Sequence, residues 1–252
     1  MSESAYLVTR GIVLRETVTN DTDKILTLLT EDRGKTAVIA RGVQKKNCRF
    51  AASAQPLVYS EWTLYHRKNW YYANEGTTLE LFRGLRDSLD AMALGAYFAE
   101  LTEAAAVEEL PAVPLLRHLL NGLYALSALR KPPELVKPVF ELKLLSLAGY
   151  EPLLDACAVC GNPSPADPVL DAAQGVLLCR TCGGGNRGLP LCADSLAAAR
   201  RTIYGDERRL YSFRMGDEAL RRLSAAAEKF LSVQFDRKFR TLDFYHSIQG
   251  ET

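Results

Sequence analysis

The chain reads as an α+β multidomain protein: a small five-stranded barrel followed by an α-helical domain that carries a four-cysteine insertion. Three observations predict this. Short β-type apolar runs separated by turn signals fill the first eighty residues; after Thr78 the apolar period lengthens to that of a helix; and Glu151 to Gly188 breaks the helical pattern with Gly, Pro, Asp and Cys. The expected divisions are 1–80 for the barrel, 81–150 for the first part of the helical domain, 151–188 for the insertion and 189–252 for its second part.

Within the barrel, Leu7 to Arg15 is apolar and rich in strand formers. Lys24 to Thr30 and Lys35 to Arg41 flank the turn Glu31-Asp32-Arg33-Gly34. Pro56 to His66 alternates, with Val58, Trp62 and Leu64 on one face and Tyr59 and Tyr65 on the other. The turn Arg67-Lys68-Asn69 then leads into Trp70 to Glu75. Five short strands with turns between them are the count for a small barrel. Gly42 to Gln55, basic and poor in large apolar groups, is expected as a surface loop.

Leu85, Leu89, Met92 and Ala96 recur at helical spacing in an alanine-rich stretch that ends near Val107, and a second helix is expected from Val113 to Leu129. Pro132 and Pro133 suit a first helical turn, where a missing N–H costs nothing. Val136, Phe140, Leu144 and Leu147 follow on one face, and Gly149 with Pro152 stops that helix. Helical spacing resumes at Asp194 to Tyr204 and from Asp217, where Leu220, Leu223, Ala227 and Phe230 share a face.

A hydrophobic share of 48% against 24% charged residues is the balance of a globular protein. No signal peptide and no membrane-spanning run is evident, so a cytoplasmic setting is the expectation. The net charge of +1 hides a local excess: from Arg33 through Ser60 there are six basic residues, Arg33, Lys35, Arg41, Lys45, Lys46 and Arg49, and no acidic one.

Cys157-x2-Cys160 and Cys179-x2-Cys182 have the spacing of two metal knuckles, each aiming two sulfurs at one ion. In a reducing compartment such thiols stay free, so the pairs read as ligands of one structural Zn²⁺ rather than as disulfides. Four thiolates leave no open position for water or substrate. The insertion has few large core residues and needs such a staple. Gly161 and Gly183 follow the knuckles, where positive φ is often required, and Pro168 to Leu170 with Gly175 to Leu178 form a candidate hairpin. The alternative is a redox dithiol, which would place a Cys-x-x-Cys at a helix start beside a βαβ unit; none is present. Cys192 reads as a small buried residue and Cys48 as an incidental surface thiol.

No catalytic constellation emerges. Gly34-Lys35-Thr36 resembles the end of a phosphate-binding loop, but Leu29 stands where its first glycine is needed. His66, His118 and His246 are scattered, and Asp21 and Asp23 read as a solvated turn. The chain is therefore expected not to be an enzyme.

A small barrel with a basic loop and nearby aromatics suits single-stranded nucleic acid, because bases stack on aromatic faces while cations track phosphates. Tyr59, Trp62, Tyr65, Trp70, Tyr71 and Tyr72 lie close together in sequence. Trp62 is expected in the core, while Tyr65, Arg67 and Lys68 are the better contact candidates. The basic run is either a solvated face or a phosphate site, and its lack of acids favours the second.

Gly11-Ile12-Val13-Leu14-Arg15, Asp23-Lys24-Ile25 and Leu28-Leu29-Thr30-Glu31-Asp32-Arg33-Gly34-Lys35 resemble the N-terminal barrel of the RecO recombination mediator family. Ala40-Arg41-Gly42-Val43, Arg49-Phe50 and Gln55-Pro56-Leu57 continue the match in order. Phe140-Glu141-Leu142-x-Leu144-Leu145, Gly149-Tyr150 and the first cysteine pair resemble that family's central helix and metal insertion.

The resemblance covers nearly the whole chain. It implies an OB-fold barrel, a helical domain with a four-cysteine zinc-finger insertion, and DNA-binding candidates at Lys24, Arg33, Lys35, Arg41, Lys45, Lys46 and Arg49. It further implies binding of single- and double-stranded DNA, strand annealing, and help, with RecR, in loading RecA where single-stranded-DNA-binding protein coats the strand. The partners implied are RecR, the C-terminal tail of single-stranded-DNA-binding protein and, indirectly, RecA; the expected location is the nucleoid. Where relatives carry an arginine before Phe-Glu-Leu, this chain has Pro138 and Val139, leaving Lys137 as the candidate for the acidic tail. The competing reading is a protein–protein adaptor that carries a structural zinc and does not bind DNA.

Overall fold

The computed structural model describes residues 5–183 and 188–250. They form two compact units, Met1–Leu129 with Phe239–Thr252, and Arg130–Lys238.

In the first unit, β1 (Ala5–Val18), β2 (Lys24–Thr30), β3 (Gly34–Ala40), β4 (Tyr59–Arg67) and β5 (Trp70–Glu80) close into a barrel in the order β1-β2-β3-β5-β4. The fourteen residues of β1 serve two partners. Ala5 to Ile12 pairs with β4 and Gly11 to Val18 with β2, with a register shift between Val13 and Arg15 that bends the strand. At Gly11, where both pairings meet, a Cβ would lie 2.8 Å from the Leu29 carbonyl oxygen, so only glycine fits. Closure comes from the parallel contact of β3 with β5, Val38 opposite Tyr71 and Ile39 opposite Tyr72. This is the OB-like barrel expected for the first eighty residues.

Alternation along the strands fills the interior with Val13, Leu26, Leu28, Val38, Trp62 and Leu64. Trp62 is fully buried, as expected. The segment after β3 departs from the surface-loop expectation. It is a chain of turns that inserts Val43, Phe50 and Ala54 into the same core, and Leu57 and Val58 are buried beyond them. Phe50 meets Trp62 edge-on at 6.4 Å between ring centroids. Its few apolar residues are placed to plug the barrel, so their position matters more than their number. Cys48 likewise packs partly against this core.

Helices α1 (Leu89–Ala105) and α2 (Val113–Ser127) belong to the barrel's unit. Ser88 caps α1 by accepting the Ala91 N–H. Helix α6 (Arg240–Gln249), which the periodicity left unassigned, packs on α1. The Glu100 carboxylate accepts the Thr241 N–H at 3.1 Å, and Phe239 meets Tyr97 edge-on. These contacts tie α6 to α1, and α1 in turn packs on β1 and α2 on β2, so the two helices and the C-terminal one share the barrel's unit.

In the second unit α3 (Pro133–Leu147) is buried at every residue from Leu135 to Leu145 and forms the centre, with α4 (Ala193–Tyr204) and α5 (Asp217–Phe235) packed against it. The insertion carries the expected hairpin, β6 (Pro168–Asp171) against β7 (Val176–Cys179), and a short strand just beyond its expected end, β8 (Leu189–Pro190), pairs with β6. It also has a small core of its own, in which Leu154, Cys157, Val169, Leu170 and Leu177 are buried. Among the described residues, no helix is long and apolar enough to cross a membrane.

Candidate functional site

The segment following β3 exposes Arg41, Lys45, Lys46 and Arg49. Its fixed shape comes from two sources. Val43 and Phe50 anchor it from below, and the turn between β1 and β2 holds it from the side. Asp23 accepts the Gly42 N–H at 2.7 Å, Gln44 N–H reaches the Thr22 carbonyl at 3.0 Å, and the Gln44 amide reaches the Asn20 carbonyl. Asp23 is thus a structural anchor rather than a solvated turn residue. The Gly42 N–H, with Thr22 and Asn20, holds its carboxyl below the usual range.

The basic window of the sequence does not form one patch. Seven residues of β3 separate Arg33 from Arg41, about 26 Å along the strand, so Arg33 lies at the opposite end of β3. Lys24 is half-buried and paired with Glu16 at 2.8 Å. Lys35 donates to the Glu103 carbonyl at 3.3 Å and lines a cleft with Glu103, Glu108 and Glu109. Neither charge is presented alone to a polyanion. The parallel register of β3 with β5, Val38 opposite Tyr71, puts the β4–β5 turn toward the Lys35 end, where Asn69 and Trp70 line the Lys35 cleft; Arg67 and Lys68 are exposed, and Arg67 also lines a cleft with Arg41. The Arg41 guanidinium lies 4.6 Å from the centroid of Tyr72, and Tyr65 faces outward at 5.2 Å from Tyr6. Tyr72 is one of the six clustered aromatics and Tyr6 carries no sequence signal; strand register brings both to this surface.

The four cysteines converge. Their sulfurs all lie within 4.8 Å of one another, and Cys160 and Cys179 are 3.5 Å apart. A tetrahedral ion with metal–sulfur bonds of about 2.3 Å needs sulfurs about 3.8 Å apart, so the donor set fits a single thiolate-bound metal. Each knuckle is a tight turn: Gly161 N–H donates to the Cys157 carbonyl at 2.8 Å and Gly183 N–H to that of Cys179 at 2.7 Å. Gly161 takes the expected positive φ of 72°. Gly183 does not; it is small because a Cβ would sit 3.0 Å from that of Leu178.

The N–H groups of Cys160, Cys179 and Val159 outweigh burial and hold the Cys157 thiol down to about 6. Contact with Cys160, burial and contact with Cys157 push Cys179 up to about 12. One thiolate thus suppresses ionisation of its neighbours, and a cation relieves that repulsion. Arg200 of α4 braces the first knuckle, its guanidinium donating to the carbonyls of Leu154, Asp155 and Pro163 at 2.8, 2.9 and 2.6 Å. An arginine beside Arg201 in a helical pattern carries no sequence signal for that role.

Lys137 is not available to an acidic partner. It is 3% exposed and paired with Glu141 at 2.8 Å and Glu228 at 2.6 Å, both in its own unit. Burial alone would lower its pKa, but the two carboxylates outweigh it and hold the ammonium above its usual value. An i, i+4 glutamate on a helix reads as a surface pair in sequence; here α3 is buried all round.

Residues 1–82 match the family model described as recombination protein O N terminal, and residues 86–243 match recombination protein O C terminal. The DNA repair protein RecO of Acetivibrio thermocellus is 28% identical over 96% of this chain and 97% of its own. That of Symbiobacterium thermophilum is 30% identical over 95% and 96%, and that of Anaeromyxobacter dehalogenans 33% over 94% and 95%. Because the two family models match in order and together span most of the chain, the chain belongs to the RecO family of DNA repair proteins.

Proposed function

We propose that the chain is a non-enzymatic mediator of recombinational repair. It binds single- and double-stranded DNA, anneals complementary strands and, with RecR, helps load RecA onto strands coated by single-stranded-DNA-binding protein, whose C-terminal tail is a further partner. It works in the cytoplasm, at the nucleoid. The observation that carries the DNA reading is the pinned segment from Arg41 to Arg49: four exposed cations, no acid between Arg33 and Ser60, and a shape fixed by the core and by Asp23. Annealing requires no covalent step. A cationic surface lowers the repulsion between two phosphate backbones, and base pairing supplies the free energy.

The metal we assign is one structural Zn²⁺ on Cys157, Cys160, Cys179 and Cys182, because four soft thiolates at tetrahedral spacing close its coordination sphere. Its part is to hold the insertion together, not to activate water.

The test is salt-dependent binding of a labelled oligonucleotide by the wild-type chain and by the Lys45→Glu, Lys46→Glu, Arg49→Glu variant. The expected result is weaker binding and a flatter log–log salt slope, by about 0.7 for each phosphate of the single strand that is no longer neutralised. Unchanged affinity and slope would remove the basis of the DNA reading and leave the adaptor reading in its place.

A further inference from the structure

Three tyrosines stand in register across the outside of the barrel. Tyr6 on β1 is directly opposite Tyr65 on β4, and Tyr65 is directly opposite Tyr72 on β5. Their chain neighbours Leu7, Leu64, Tyr71 and Ala73 pack against the core, so alternation turns the three rings outward. A ladder serving only the sheet would cover its rings with one another. Here Tyr6 remains 66% exposed, with its ring tilted 47° to that of Tyr65. On the far side of the row, the Arg41 guanidinium lies over Tyr72.

With Arg67 and Asn74 these residues line a cleft of about 170 Å³, and among the described residues no carboxylate lines it. Neither arginine is in a salt bridge among the described residues. Aromatic faces, two guanidinium groups and one amide, with no carboxylate among the lining residues, define a ligand that is planar, π-bearing and anionic; the Asp23 carboxylate acts on Arg41 from outside the cleft. An unpaired nucleotide has all three properties. In a duplex each base face is covered by its neighbours, so only a single strand or a frayed end offers a face to stack.

We propose that Tyr6, Tyr65 and Tyr72, with Arg41 and Arg67, form a stacking platform for unpaired bases that biases the barrel toward single-stranded over double-stranded DNA. The platform adjoins the basic segment through Arg41, so a strand whose phosphates follow that segment has bases within reach of the rings. The inference rests on the DNA-binding reading above and adds to it a residue-level basis for strand preference.

The experiment measures binding of the full chain to a labelled oligothymidylate and to a blunt duplex of equal length, over a range of salt. In the Tyr65→Ala, Tyr72→Ala variant the single-strand affinity is expected to fall tenfold or more, since stacking contributes about 1–3 kcal/mol per base. Duplex affinity and both salt slopes should stay as in wild type, because every phosphate-neutralising cation is still in place. The Tyr65→Phe, Tyr72→Phe variant should retain single-strand affinity. Tyr6→Ala, at the most exposed ring, gives a second test that spares the fold, with a smaller loss of the same selectivity. Unchanged single-strand affinity in both alanine variants, or an equal loss on the duplex, would overturn the platform. If the charge-reversal variant weakens both ligands while the tyrosine variants alter neither, the platform fails and the DNA reading stands. If the wild-type chain binds neither ligand, both fail.

Discussion

The Asp23 carboxylate accepts the Gly42 N–H at 2.7 Å and so joins the β1–β2 turn to the first residue after Arg41. Gly42 has a φ of +64°, which no other residue adopts as cheaply, and the bond fixes the direction in which the basic segment leaves β3. Asp23→Ala is expected to speed hydrogen exchange at Gly42 and Gln44. DNA affinity should fall without a change in salt slope, because the cations remain but lose their fixed positions. The Asp23 pKa is depressed in the fold, so its contribution is present above the unfolded value and lost as pH falls through the folded one. The difference in melting temperature between wild type and variant should therefore narrow below about pH 4; a gap that persists under acid would assign it to packing.

The metal centre is expected to support the Arg130–Lys238 unit far more than it supports DNA binding. Cys160→Ser removes one of four sulfurs, and should release the ion and lower the melting temperature, with single-strand affinity changing little. Arg200→Ala removes no ligand but unties three carbonyls around the first knuckle. Loss of such outer support should weaken metal binding by about 10- to 100-fold. Competition with a chelator for the bound ion measures both. X-ray absorption showing fewer than four sulfur neighbours in the wild type would contradict the four-thiolate assignment.

The barrel and the cysteine centre were legible in the sequence because each rests on a local pattern: strand alternation with turn residues, and two Cys-x2-Cys pairs. What was not legible depends on register and return contacts. Arg33 and Arg41 are close in sequence yet sit at opposite ends of a strand, whereas Tyr6 is far from Tyr65 in sequence and directly opposite it in the sheet. Helix α6 carries too few periodic positions to be identified alone, and it is held by Glu100 and Tyr97 of a helix some 140 residues earlier. Lys137 is a candidate for an acidic partner in sequence, but its burial follows from neighbours that cover α3 on every face, which no local pattern shows.

Lys137 tests that last point directly. Replacing it with Met removes the cation between Glu141, which is fully buried, and Glu228, which is one-third exposed. Breaking a buried pair from one side typically costs about 3–5 kcal/mol, and chemical denaturation should register a loss of that order. Without the ammonium, Glu141 takes up a proton more readily in the fold than in the unfolded chain. The penalty should therefore be largest at alkaline pH and shrink as pH falls toward the carboxylate range. A pH-independent loss would mean that the methionine fits the site badly rather than that a charge is stranded.

Phe50 links the stability of the barrel to the placement of its cations. It is one residue beyond Arg49, is 9% exposed, and meets Trp62 edge-on. Truncation to Ala leaves a cavity beside Trp62, and buried Phe→Ala changes cost about 3–5 kcal/mol. It also removes the anchor nearest to Arg49, so the basic segment should lose order as well as the barrel losing stability. Phe50→Leu retains an apolar anchor of similar reach and should recover most of both. If order were independent of the plug, Phe50→Ala would lower the melting temperature yet leave DNA affinity and the exchange rates of residues 42–49 as in wild type. Coupled loss, with coupled recovery in Phe50→Leu, is the expected result, because the same side chain that fills the barrel mouth holds the basic segment against it.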